Sequence, residues 1–263
     1  MQFKDVVDSY TIDNFPHSII LVGEDGCGKH TLCNYISSHL QFDYVDISNN
    51  LSLDILWESQ LNSKPIIYLI DIDQKQIKYQ NELLKTLEDY SSINYFILLS
   101  TNEKNILPTI INRCDVWRYR PYSIQELELV SGSFKNLKLK SIFHTPGQVL
   151  KWGNNSLIDD IQNLCITIFD RIDNANISNI LSISNKIDFN NKNSDKYPID
   201  LFKRILYYIS YERCLNYKNN IYYAVYDLTR DYINSTSMLN INQQRKFEQY
   251  LFRLKILLKN GNF

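Results

Sequence analysis

The sequence has 263 residues, 44 % of them hydrophobic and 22 % charged, enough to bury one large core or two to three small ones. Its 28 Lys and Arg nearly balance 29 Asp and Glu, so no global positive field draws the chain to nucleic acid, and any such contact falls to a local patch or a partner. No apolar run approaches the roughly 20 residues that cross a bilayer, and residues 1–8 lack the layout of a signal peptide, so the cytosol is the expected compartment. Cysteines at Cys27, Cys33, Cys114, Cys165 and Cys214 are odd in number and never spaced CxxC, which argues against a zinc site or a disulfide framework.

In chain order, residues 18–22 form the first predicted strand, an unbroken apolar run of the kind buried on both faces of a parallel sheet. It runs into Gly23-Glu24-Asp25-Gly26-Cys27-Gly28-Lys29-His30-Thr31, and residues 29–40 then carry helical periodicity. Strand, Gly-rich loop and helix in this order are the context of a phosphate-binding loop. Gly23, Gly26 and Gly28 permit the turn that converges backbone N–H groups on phosphate oxygens at a helix N-terminus, and Lys29 reaches the outer phosphates. The same pattern also fits a plain Gly-rich turn with an exposed lysine. After Lys29 such loops place Ser or Thr, whose hydroxyl binds magnesium; His30 stands there instead, and imidazole is a poor ligand for that ion. Thr31 comes one residue late, about 100° further round the helix.

Strands are predicted next at 44–47 and 65–71, with a helix over 53–61 between them. The second ends in Asp71, where a P-loop enzyme places the carboxylate that orients magnesium, although an ordinary strand-end Asp reads the same way. Ile72 occupies the position from which hydrolysing members polarise water with Glu. Asp73 substitutes only if the register slips through a bulge, because alternate residues of a strand face opposite ways. A helix over 80–90, a strand over 95–100, a helix over 107–112 and a strand over 116–119 complete an α/β region, with Asn102 just past its fourth strand. From Pro121 the strand signal fades. Ser123 and Glu126 form a capping box for a helix over 123–130, and residues 137–152 fit a small helical lid. Beyond residues 153–155, apolar positions at helical spacing mark 157–172, 198–217, 221–233 and 242–258 as a bundle, with polar 185–195 as a loop.

Three segments in this order carry a resemblance. Residues 80–89, QNELLKTLED, resemble the NALLKTLEEP segment of bacterial clamp-loader subunits; 96–102, FILLSTN, resembles their sensor-1 strand; and 107–114, LPTIINRC, resembles LPTIxSRC with Asn112 in place of Ser. Residues 15–20, FPHSII, are similar to the PHAxLF that precedes the phosphate loop in delta-prime subunits of bacterial DNA polymerase III. Residues 144–150, HTPGQVL, are similar to their GSPGxAL, with Gly147 where an active subunit carries its sensor-2 arginine. On these motifs, covering residues 10–152, the chain resembles the delta-prime family of AAA+ clamp-loader subunits.

The resemblance implies an α/β P-loop AAA+ domain with a five-stranded parallel sheet over 1–121, a helical lid over 122–154 and an all-α collar for oligomerisation over 155–263. It implies nucleotide contacts at Gly23, Gly26, Gly28, Lys29, His30, Thr31, Asp71 and Asn102, with ATP or ADP as ligand, a degenerate magnesium site, no zinc and little or no intrinsic ATPase activity. Arg113 is implied as a finger that reaches the triphosphate of a neighbouring subunit. The implied partners are other clamp-loader subunits, the sliding clamp and primer-template DNA. The rival readings are an active clamp-loader ATPase using Lys29, Thr31 and Asp73, a non-enzymatic scaffold, and another AAA+ protein such as a helicase loader. The four-cysteine zinc module of many relatives has no room in residues 48–64. Basic residues at Lys135, Lys138 and Lys140 and along the last helix read mainly as solvated faces. Abundant Asn, Ile, Lys and Tyr suggest an AT-rich coding sequence, as in a low-GC bacterium or its phage.

Overall fold

The structure, a computed structural model, describes residues 1–49, 65–73, 75–88, 93–131, 142–153, 156–189, 196–235 and 242–260. The chain divides into two compact units, Met1–Ser133 with Phe143–Lys151, and Phe134–Ile142 with Trp152–Phe263. The predicted helix at 53–61, the first part of the lid and the lysines at 135, 138 and 140 lie outside the described residues.

The first unit is built on five strands, β1 Ser18–Val22, β2 Asp43–Asp46, β3 Ile66–Asp71, β4 Tyr95–Ser100 and β5 Asp115–Arg118, in spatial order β2-β3-β4-β1-β5. Every pairing is parallel. Successive side chains of a strand point to opposite faces, so the unbroken apolar runs supply two cores at once. On one face Ile19, Leu21, Ile67, Leu69, Ile97 and Leu99 pack with Leu32, Cys33 and Ile36 of α2, Lys29–Leu40. On the other, Ile20, Tyr68, Ile70, Phe96 and Leu98 meet Tyr79, Leu83 and Leu87 of α3, Ile77–Glu88, and Ile110 of α4, Pro108–Ile111.

The structure shows a short helix at Lys4–Asp8 that the sequence reading omits, and α3 starts three residues earlier than its apolar pattern. Each gain buries a single apolar side chain, Val7 in the short helix, α1, and Tyr79 in α3, among exposed neighbours, too few apolar positions to set a period. The capping box forms as expected: the Ser123 N–H donates to Glu126 Oε2 at 2.8 Å and the Glu126 N–H to Ser123 Oγ at 3.3 Å, opening α5, Ile124–Ser131. The Arg120 guanidinium also grips Glu126 and, with the Ser123 N–H, holds its carboxyl down at about 2. Helix α6, Pro146–Trp152, follows.

The second unit contains α7 Leu157–Arg171, α8 Ile177–Asn185, α9 Ile199–Tyr217, α10 Asn220–Ser235 and α11 Gln243–Asn260. Helix α8 occupies a stretch for which the sequence predicted no element, and a two-residue parallel ladder, Ile187–Asp188 with Tyr197–Pro198, begins where a polar loop was expected. The Asn176 side chain caps α8 by accepting from the Asn179 N–H, which starts a helix in an Asn- and Ser-rich segment. Fully buried Phe247 is the hub of this core, its ring against those of Phe189, Phe202, Tyr232 and Tyr250. Phe247→Ala is expected to destabilise the protein by about 3–5 kcal/mol, read as a lower urea midpoint.

Candidate nucleotide site and its surroundings

The loop at residues 23–28 leaves β1 at its carboxyl end. Gly26 and Gly28 take φ of 82° and 102°, in the left-handed region, and Gly28 caps α2. Gly23 is required for space instead: a Cβ there would stand 2.7 Å from Cys27 Sγ and 2.8 Å from Tyr119 Cβ. Lys29 is buried, its ammonium donating to the Gly23 carbonyl and standing 3.9 Å from the Asp25 carboxylate. Burial pushes the Cys27 thiol up against the lowering effect of Lys29, so it stays protonated.

The loop is held from above by residues 144–148. Thr145 Oγ1 donates to the Asp25 carbonyl at 2.8 Å, the Gly147 N–H to the Gly26 carbonyl at 2.9 Å, and Gln148 Nε2 to Glu24 Oε2 at 3.2 Å. The phenols of Tyr119 and Tyr122 donate to the carbonyls of Gly28 and Cys27. Gly147 lies so close to the loop that a Cβ would come within 2.6 Å of Gly26 Cα. Beside the loop is a cleft of about 320 Å³, bordered by Cys27, Tyr119, Tyr122 and Thr145 among others, at the small end for ligand sites.

The expected ligands for magnesium do not fit that ion. His30 and Thr31 are both exposed on α2, and His30 offers imidazole where a hydroxyl oxygen is needed. Asp71 Oδ1 accepts from the Asp73 N–H at 3.1 Å and so shapes the turn after β3. Ile72 is fully buried and its N–H donates to the Leu99 carbonyl. Asp73 lies past the end of β3, and its carboxylate accepts from Ser100 Oγ at 2.5 Å, from Thr101 N and Oγ1 at 2.6 Å each and from Asn105 Nδ2 at 3.0 Å. Burial raises its pKa, but the hydrogen bonds from Ser100, Thr101 and Asn105 outweigh that and leave it lowered. A carboxylate so occupied is a poor base. Asn102 caps the 3₁₀ turn Glu103–Asn105, its Oδ1 accepting from the Lys104 N–H at 3.0 Å. Among the described residues no cluster of three or more His, Cys, Asp or Glu has the arrangement of a metal site.

Arg113 follows α4, with its side chain 34 % exposed. Its Nε donates to Glu88 Oε1 at 2.7 Å, its Nη2 is ion-paired with the same oxygen, and its Nη1 donates to the Thr109 carbonyl at 2.8 Å. Sequence reading named Arg113 but missed Glu88 as its partner; the pairing is a tertiary fact with no local pattern.

Gly147→Ala is expected to cost about 1–3 kcal/mol through the clash with Gly26, lowering the urea midpoint at unchanged slope. Asp73→Asn turns a donor toward donors and is expected to cost a similar amount, about 1–3 kcal/mol, at neutral pH. Because the folded pKa of Asp73 lies below the unfolded one, its contribution is full above the unfolded value and is lost as pH falls through the folded one. Urea midpoints at neutral and acid pH should therefore converge between wild type and Asp73→Asn on acidification.

Residues 45–123 match the family model described as DNA polymerase III, delta subunit. The chain is similar to the DNA polymerase III subunit delta' of Haemophilus influenzae, 28 % identical over 131 residues, covering 45 % of this chain and 38 % of that protein. It is also similar to the replication factor C small subunit of Methanococcus vannielii, 28 % identical over 142 residues, covering 48 % and 43 %. The matches thus span less than half the length of these curated relatives. In structure it resembles a DNA polymerase III gamma subunit-related protein of Thermotoga maritima, with a TM-score of 0.57 at 16 % identity over 97 % of this chain and 99 % of that one, which shows a shared fold. The motif order along β4 and α4 agrees with these matches: over residues 45–123 the chain is similar to the DNA polymerase III delta subunit family model, and its fold is shared with the gamma subunit-related protein.

Proposed function

We propose that this chain acts in a clamp-loader assembly that places a sliding clamp on primed DNA, lending Arg113 to a triphosphate held by an adjacent subunit while hydrolysing little ATP itself. The observation that carries the reading is an asymmetry between the chain's own pocket and its arginine. In the pocket, Lys29 is tied to the Gly23 carbonyl, His30 replaces the magnesium-binding hydroxyl, Ile72 is buried and Asp73 is saturated with donors. Arg113, by contrast, is half-buried at a helix end, in the sequence context that the family uses for a finger. The loop's glycines still turn its backbone as an anion site requires, so ATP or ADP can dock without being turned over.

In this reading the helical second unit joins the subunits together, and the partners are the motor subunits, the clamp and primer-template DNA. Described residues include no helix long and apolar enough to cross a membrane. The scaffold alternative draws on one observation, the internal pairing of Arg113 with Glu88. The two readings separate in the assembled complex. Arg113→Ala is expected to lower the neighbour's ATP turnover by about 10³-fold or more, as measured for other arginine fingers, with the isolated chain nearly inactive throughout; unchanged turnover would favour the scaffold.

A further inference from the structure

We infer that Glu88 is a positioning residue for Arg113, fixing one edge of the guanidinium so that the other is presented to an anion from outside the chain. The inference rests on the function proposed above.

Glu88 is the last described residue of α3, an exposed carboxylate that a nearby cation can partner. The Arg113 guanidinium supplies that cation from 25 residues away. It also satisfies the Thr109 carbonyl near the end of α4, one of the acceptors that a short helix leaves without an internal partner. A guanidinium has five N–H donors in a rigid plane. The contacts to Glu88 and Thr109 take one each from Nε, Nη2 and Nη1, leaving one further N–H on each terminal nitrogen beyond them. Those two form the kind of fork that grips a phosphate through two parallel hydrogen bonds.

The pair is a weak source of folding stability, because side-chain exposures of 34 % for Arg113 and 53 % for Glu88 leave it largely screened by water. What it does supply is direction. A free arginine loses rotamer entropy when it engages a ligand, whereas one already held by Nε has lost much of it beforehand.

The test uses the assembled complex with its neighbouring ATPase subunit and saturating ATP. Glu88→Ala is expected to lower the turnover number on the order of 10- to 100-fold, the scale of a misplaced reacting group, with KM for ATP changed less than about twofold and the melting temperature of the chain preserved. Glu88→Gln, which keeps an acceptor oxygen at the same reach, should recover most of the rate. In the Arg113→Ala background, Glu88→Ala should have no further effect. Unchanged or faster turnover in Glu88→Ala, no recovery in Glu88→Gln, or an equal fall in the Arg113→Ala background overturns the inference while leaving the finger itself standing. If Arg113→Ala alone changes nothing, the finger and its positioning fail together.

Discussion

Strand β1 is hydrogen-bonded on both sides and buried on both faces, and the first unit is organised around that constraint. Ile19, Ile20 and Leu21 are all fully inaccessible, each worth about 1.5–3 kcal/mol of burial, and they feed the two helical layers alternately. A strand so enclosed can end in only one place, the carboxyl edge of the sheet. The topology β2-β3-β4-β1-β5 then sets the phosphate loop after β1, the Asp71–Asp73 turn after β3 and Asn102 after β4 along the same edge. Open parallel sheets carry their ligands at this edge. The site's location is a consequence of burial, before any polar residue is considered.

At that edge the polar groups are engaged with one another. Lys29 binds a carbonyl of its own loop, Asp73 gathers the donors of Ser100, Thr101 and Asn105, and Asn102 caps a turn. Buried or half-buried groups satisfied in this way stiffen the structure, whereas a hydrolytic site must keep acceptors free for a metal ion and a water molecule. Residues 144–148 add to the stiffness, since Gly26 and Gly147 touch backbone to backbone. Even one extra methyl group has no room there. Such rigidity suits a subunit whose proposed contribution is a single well-held arginine.

Much of this was legible in the sequence where burial writes a pattern. The runs at 18–22 and 95–100 have the same limits as strands in the structure, and the helix at 29–40 likewise, because strands enclosed on both faces and a helix packed on one leave apolar periods. Ser123 and Glu126 were legible for another reason, a capping motif that acts over three residues. What sequence alone could not supply were pairings between distant segments. Glu88 with Arg113 and Gly26 with Gly147 depend on the sheet to bring them together. Helix α8 was hidden because Ile177 and Leu181 are exposed and its cap is an asparagine in a segment rich in asparagine.

The basic residues of α11 show how a charge run separates into roles once contacts are known. Lys246 donates to the Ser235 carbonyl at 2.8 Å and Lys255 to the Ala175 carbonyl at 2.6 Å, so both are used inside the second unit to close carbonyls at or after helix ends. Arg245, Arg253 and Lys259 remain exposed. A groove for a polyanion needs several charges free to neutralise successive phosphates, since each contact contributes separately to affinity and to its salt dependence. Lys246 and Lys255 keep their charge but are tethered, whereas the three exposed cations of this helix face solvent. On this helix the charge run thus divides by geometry, Lys246 and Lys255 serving the packing of their own unit and the remaining three keeping their reach into solvent.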